Sequence, residues 1–146
     1  MKIKSVLFVG RRNAARSVMA ETCFNAAGIP GWRAFSAGWQ TQNSIDTQAI
    51  RTLAANGFET DTLSSKPVAI FLQEGAPEID LCVFLDEDLP PDVQNYPAAR
   101  ESWKIPDPSR ETNQRPAYQM ALDAIMARIS TLVISGKLAM PLAKAS

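Results

Sequence analysis

Apolar residues follow two different rhythms along this chain. Ser5-Val6-Leu7-Phe8-Val9 is a short unbroken run rich in β-formers and closed by Gly10, the pattern of a strand buried on both faces of a parallel sheet. The period then changes. From Ser17 to Ala27, Met19, Cys23 and Ala27 recur every four residues with Ala20 and Phe24 beside them, which predicts a helix stopped by Gly28. Ser17 at its start and Glu21 in its first turn suit unsatisfied amides. Trp32 to Ser36 reads as a second strand ended by Ala37-Gly38. Ile45, Ala49, Ile50, Leu53 and Ala54 form the stripe of a second helix, with Ser44 or Asp46 as cap and Gly57 closing it. A shorter helix begins at Pro67 and runs through Phe71-Leu72. Ile79 to Leu85 and Ser102 to Ile105 predict two more strands. Pro116 to Ser135 predicts a long amphipathic helix through Ala121, Leu122, Ile125, Met126, Ile129 and Leu132. The order β-α-β-α-(α)-β-(α)-β-α predicts an α/β fold: a doubly wound, mostly four-stranded parallel sheet with helices on both faces. The alanine-rich stretch 136–146 is expected to fray.

The 146 residues make one domain, spanning 1–146, since two independent cores would need more chain. Hydrophobic residues at 46% and charged residues at 21% exclude the disordered class. Fifteen basic residues balance fifteen acidic ones, so no global field draws the chain to nucleic acid or a membrane, and neither partner is expected. Charge is nevertheless uneven. Lys2, Lys4, Arg11, Arg12 and Arg16 have no acid among them in the first twenty residues, while Glu74 to Asp92 carries acids and no base. The acidic stretch reads as solvated loop; the basic one falls at a strand-to-helix turn.

Histidine is absent and the only cysteines are Cys23 and Cys82. That excludes His-ligated zinc, a Ser-His-Asp triad, a Cys-His pair and a disulfide framework, and no metal or other cofactor is expected. Unpaired cysteines point to a reducing compartment. The apolar run from Val6 to Gly10 is too short for a signal-peptide core or a membrane span, which makes the cytoplasm the expected location. Nothing in the chain sets an oligomeric state.

In an open parallel sheet the first strand-to-helix turn is a usual anion site. Gly10-Arg11-Arg12-Asn13-Ala14-Ala15-Arg16-Ser17 is that turn. Wrapped with its N–H groups inward it makes a nest at the positive end of the following helix, and Arg16 adds a planar fork for two phosphate oxygens. An ordinary loop with its arginines in water accounts for the same residues equally well.

The strand Val6-Leu7-Phe8-Val9, the loop ending Arg16-Ser17 and the following Met19-Ala20-Glu21 resemble the signature of the low-molecular-weight protein tyrosine phosphatases and the related arsenate reductases. That family's loop runs Cys, five residues, Arg, then Ser or Thr, commonly with Gly-Asn inside. Asn13, Arg16 and Ser17 match, as do Ser36-Ala37-Gly38 and Trp103-Lys104-Ile105-Pro106-Asp107-Pro108, where the family carries an Asp-Pro catalytic acid. The resemblance implies a bound phosphate-like oxyanion or phosphorylated ligand. It casts Asp107 as general acid, Asn13 and Ser36 as a pair supporting the loop, and Trp39 and Trp103 as walls of the pocket mouth. Asp107 serves equally as the start of a turn before Pro108, and the tryptophans as packing.

The nucleophile position does not match. Where the family has a thiolate, this sequence has Gly10; Arg12 stands where glycine is usual, and Ala15 replaces a frequent second cysteine. Cys23 lies about 10 Å along the first helix from the loop, and Cys82 alternates within a strand, so both read as core residues. The thiol-relay arsenate reductases of the family carry a cysteine pair shortly after the corresponding strand, and Leu85 to Pro91 contains none. The resemblance therefore implies a pseudophosphatase with a binding or regulatory role. One alternative is a weak phosphomonoester hydrolase in which Asp107 directs water. Another is an atypical nucleotide-binding loop, Gly10-x-x-x-x-Ala15-Arg16-Ser17, with Asp86 as a generic magnesium partner.

Overall fold

The computed structural model describes residues 2–138; the stretch 139–146, most of the segment expected to fray, lies outside the described residues. Four strands, β1 (Lys4–Val9), β2 (Trp32–Ala37), β3 (Leu81–Phe84) and β4 (Ala99–Ser102), form one parallel sheet in the order β2-β1-β3-β4. Among the described residues four helices accompany it: α1 (Arg16–Ala26), α2 (Thr47–Ala55), α3 (Pro91–Gln94) and α4 (Gln114–Ile134). Short 3-10 turns occupy Val68–Phe71 and Pro108–Arg110.

Period-two alternation in β1 divides the core into two layers. Val6 and Phe8 face a layer shared with Met19, Phe24, Leu53, Leu122 and Ile125. Leu7 and Val9 face the other, with Val68, Phe71, Cys82 and Val93. The three long helices pack on the first face; the Val68–Phe71 turn and α3 cover the second. By length and composition α4 could cross a membrane, with a mean hydropathy of 1.2 over its most apolar stretch. It instead packs against α1 and α2, burying Tyr118, Leu122, Ile125, Ile129 and Leu132. Met126, expected on that buried stripe, is exposed.

The fourth strand is displaced from its expected span. The ladder with β3 covers Ala99–Ser102, whose side chains are largely exposed, rather than Ser102 to Ile105. Trp103 N–H makes one last bond, to Phe84 O at 2.9 Å, and the indole then turns into the core with its ring 5.5 Å from that of Phe8. The apolar run marks burial, and burial here begins where the edge strand ends. For the same reason Ile79 and Leu85 are buried but lie outside β3.

The strand order places the site. From β1 the chain moves outward to β2 on one side, while β3 lies on the other, so connections diverge between the carboxyl ends of β1 and β3 and open a crevice. The loops 10–15 and 85–90 both leave the sheet there.

Candidate oxyanion site

The loop carbonyls are held from outside. Arg11 O accepts from Gln40 N–H at 2.8 Å, Arg12 O from the Ser65 hydroxyl at 3.2 Å, Ala14 O from Asp46 N–H at 2.8 Å and Ala15 O from Met19 N–H at 2.8 Å. The N–H edges of these peptides are thereby turned the other way. Those of Arg12, Asn13, Ala14 and Ala15, and of Arg16 and Ser17 opening α1, meet no acceptor among the described residues. This is a nest at a helix N-terminus, a concavity of partial positive charge.

Two residues hold that shape. Asn13 sits in the left-handed region at φ 49°, which asparagine tolerates better than most residues. It is almost fully buried; its Nδ2 donates to Ser17 Oγ at 2.8 Å, and its Oδ1 accepts from Lys66 N–H at 2.7 Å. Gly38 lets the end of β2 press against the loop, because a Cβ there would stand 2.6 Å from the carbonyl oxygens of both Gly10 and Arg11.

Local structure departs from expectation at the start of α1. Ser17 is the second helical residue and not the cap; Ala15 occupies that position with no side-chain bond, so the amides stay open. Glu21 lies beyond the first turn. Asp46 holds the cap position of α2, but its carboxylate turns to the site, taking bonds from Tyr118 Oη and Gln42 Nε2, both at 2.8 Å.

Arg16 does not present a free fork. Its Nη1 donates to the carbonyls of Leu85 (2.7 Å) and Ile105 (2.8 Å), and its Nη2 donates to Asp86 Oδ1 (2.8 Å). Of five guanidinium hydrogens, Nε–H and one on Nη2 remain for a ligand. Asp86 Oδ2 accepts from Arg11 N–H at 2.8 Å, so this carboxylate ties the loop to the end of β3.

Asp107 caps the 3-10 turn that follows it, accepting from Ser109 N–H (3.0 Å) and Oγ (2.7 Å), and it also faces the loop. Its Oδ2 lies 3.9 Å from Arg12, 4.0 Å from Arg16 and 3.9 Å from Arg110. Burial pushes the carboxyl up, but the Ser109 bonds and the Arg16 and Arg12 guanidinium groups outweigh it and hold Asp107 below its ordinary range. At neutral pH it is held as a carboxylate beside the loop. Arg12 donates to Ser109 Oγ (3.0 Å) and Gln42 Oε1 (2.9 Å).

The cup between Gly10 and Ser17, bounded by Asp86 and Asp107, has a volume of about 20 Å³. A mouth of about 220 Å³ opens above it, lined by Arg11, Arg12, Arg16, Arg110, Asp86, Asp107 and Ser109. A wider groove of about 550 Å³ continues over the ends of β3 and β4.

Several expected roles change. Ser36 is not paired with Asn13: its hydroxyl donates to Glu21 Oε1 at 2.6 Å, and Lys66 connects the two, its N–H on Asn13 and its Nζ 3.3 Å from Glu21. Trp39 packs against the second core layer and does not line the cup or its mouth. Trp103 borders the outer groove but is 1% exposed, its Nε1 bonded to Glu101, so it offers no stacking face. Cys23 and Cys82 lie in the two different core layers, as expected of packing residues, and burial pushes their thiols up to about 12 and about 11. Sequence reasoning missed Lys66, Asp46, Ser109 and Arg110. A lysine or serine in a loop carries no local signal of a partner some fifty residues away.

A family model described as low molecular weight phosphotyrosine protein phosphatase matches residues 5–141. A search of curated protein sequences finds no match. Among solved structures, an arsenate reductase from Archaeoglobus fulgidus is 32% identical, with a TM-score of 0.71 over 88% of this chain and 98% of its own. A protein described as an arsenate reductase in the phosphate binding state is 25% identical, with a TM-score of 0.73 over 91% and 98%. The low molecular weight protein tyrosine phosphatase of T. tengcongensis shares the fold at 23% identity, with a TM-score of 0.74 over 90% and 99%. With the four-stranded parallel sheet arranged as the sequence resemblance implied, the chain belongs to the low-molecular-weight phosphotyrosine protein phosphatase family, which includes arsenate reductases.

Proposed function

We propose that this protein binds phosphate or a similar oxyanion in the 10–17 loop and is a pseudophosphatase with a binding or regulatory role. One observation carries the reading: a cup of unpartnered amides beside Arg16, with Gly10 where the family places its thiolate. A tetrahedral anion would take the N–H groups of Arg12 to Ser17 and the remaining Arg16 hydrogens. The relative described in a phosphate binding state supports a loop of this fold holding that anion. Glycine carries no nucleophile, so no phospho-enzyme forms there. Arsenate enters the proposal as a bound anion rather than an oxidant. Its reduction by this chain would need accessible thiols, and both cysteines are buried with raised pKa values. Free thiols also support a cytoplasmic location.

Thermal unfolding with added phosphate or sulfate tests the reading. At a hundredfold excess over Kd a site ligand stabilises by about 2.7 kcal/mol, which raises Tm by roughly 5–10 °C for a domain of this size. Para-nitrophenyl phosphate should not be turned over. A Tm indifferent to either anion removes the cup from the proposal.

A second reading has one specific observation in its favour. Asp107 is held ionised beside the cup, as a base directing water onto a clamped phosphoester would be. Slow turnover that survives thiol alkylation and disappears in Asp107→Asn would favour it. The magnesium-dependent nucleotide loop has no such support, because both oxygens of Asp86 already serve Arg11 N–H and Arg16.

A further inference from the structure

The mouth above the cup carries guanidinium groups that an anion seated in the cup does not use. At about 20 Å³ the cup admits little beyond the oxygen-bearing face of one tetrahedral group, so the remainder of any ligand projects into the mouth of about 220 Å³. Four arginines line that mouth. At its floor Arg16 and Asp86 satisfy each other at 2.8 Å. Around the rim stand Arg11, Arg12 and Arg110, with Asp107 beside them as the second carboxylate lining the mouth after Asp86. Asp88 meets Arg11 from outside, is 88% exposed, and so holds it weakly. Asp46 reaches Arg12 only at 3.6 Å.

The rim is also shaped for oxygen rather than for a ring. Among the described residues no aromatic lines the mouth, and in the outer groove Phe84 and Trp103 are 2% and 1% exposed. A phenolic group leaving the cup would find guanidinium groups, two carboxylates and a serine, with no face to stack on. Arg12 is already oriented, by Ser109 and Gln42, and Arg110 is 78% exposed, held only by its 3.9 Å contact with Asp107. Planar guanidinium forks fit pairs of phosphate oxygens.

We propose that the ligand carries a diphosphate group, its first phosphoryl in the cup and its second held by Arg11, Arg12 and Arg110 in the mouth. The proposal rests on the reading of the cup as an oxyanion site, and names what that site prefers.

Calorimetry on the intact chain at about 0.15 M ionic strength, where exposed charges are screened beyond about 8 Å, tests it with orthophosphate, inorganic pyrophosphate and ADP. Pyrophosphate is expected to bind at least about tenfold more tightly than orthophosphate, a difference of about 1.4 kcal/mol. Arg12→Gln and Arg110→Gln should each shrink that ratio, and together should abolish it. ADP binding as tightly as pyrophosphate supports a diphosphate ester whose remainder lies in the outer groove; ADP binding more weakly supports free pyrophosphate. Orthophosphate binding with no preference for pyrophosphate, or a preference that survives both substitutions, overturns the diphosphate and leaves the cup standing. Failure of both phosphates to bind overturns the cup as well. Arg110 is a surface residue, so its variant folds and keeps the test decisive even if Arg12→Gln does not.

Discussion

A Cβ at position 10 would stand 3.3 Å from Ser17 Oγ and 3.7 Å from Asp86 Oδ2, close but without backbone in the way, and position 10 lies outside the left-handed region. Gly10→Cys should therefore fold, with its thiol beside the open amides and the Ser17 hydroxyl. Since losing a covalent nucleophile usually removes several orders of magnitude of rate, restoring one should raise para-nitrophenyl phosphate hydrolysis by about a hundredfold or more over the unsubstituted chain. Iodoacetate should abolish the gain, and a variant that folds yet stays inert would mean the cup is not catalytic geometry. Asp107 gives a prediction of its own. Its carboxyl is depressed in the folded state, so it contributes stability at pH values above the ordinary 3.8, and that contribution is lost as pH falls through the lower folded value. Asp107→Asn should accordingly be less stable than the parent near neutrality and converge with it at the acid end of a pH series of urea midpoints.

At the scale of elements, the site is a loop clamped by neighbours. Asn13→Ala removes a buried amide that bonds Ser17 and Lys66 and leaves alanine in the left-handed region. A loss of about 1–3 kcal/mol in urea unfolding is expected, together with weakened phosphate binding. Gly38→Ala drives a methyl against two carbonyl oxygens at 2.6 Å. It should cost about 1–3 kcal/mol through overpacking and move the loop, read as shifted amide resonances for residues 10–15. How much of this was legible in the sequence depends on the range of the interaction. β1, α1 and the loop between them are local patterns, and they emerge from the run Ser5–Val9 and the spacing of Met19 and Cys23. β4 was misplaced because an exposed edge strand is hydrogen-bonded without being apolar, whereas Trp103 and Ile105 are apolar without being in the ladder. Asn13 stands out in the loop sequence, but its partner Lys66 lies 53 residues away, and nothing near Ser36 signals that it turns to Glu21.

On the scale of the whole molecule, the two cysteines report global opening. Buried in different core layers with thiols near 12 and 11, they should resist alkylation by iodoacetamide in the native state and react together, with a rate that tracks the unfolded fraction through a denaturant titration. Reaction at Cys23 alone would mean that α1 opens separately. The loop around the cup has a different dependence. Its carbonyls are fastened by residues 40, 46 and 65, drawn from separate stretches of chain that meet only after β2 and α2 have docked. The receptor for an anion is thus a late product of assembly, absent while the chain is still searching for its sheet. Phosphate should then lengthen the lifetime of the folded protein, slowing the unfolding limb of a chevron, and leave the rate of refolding untouched.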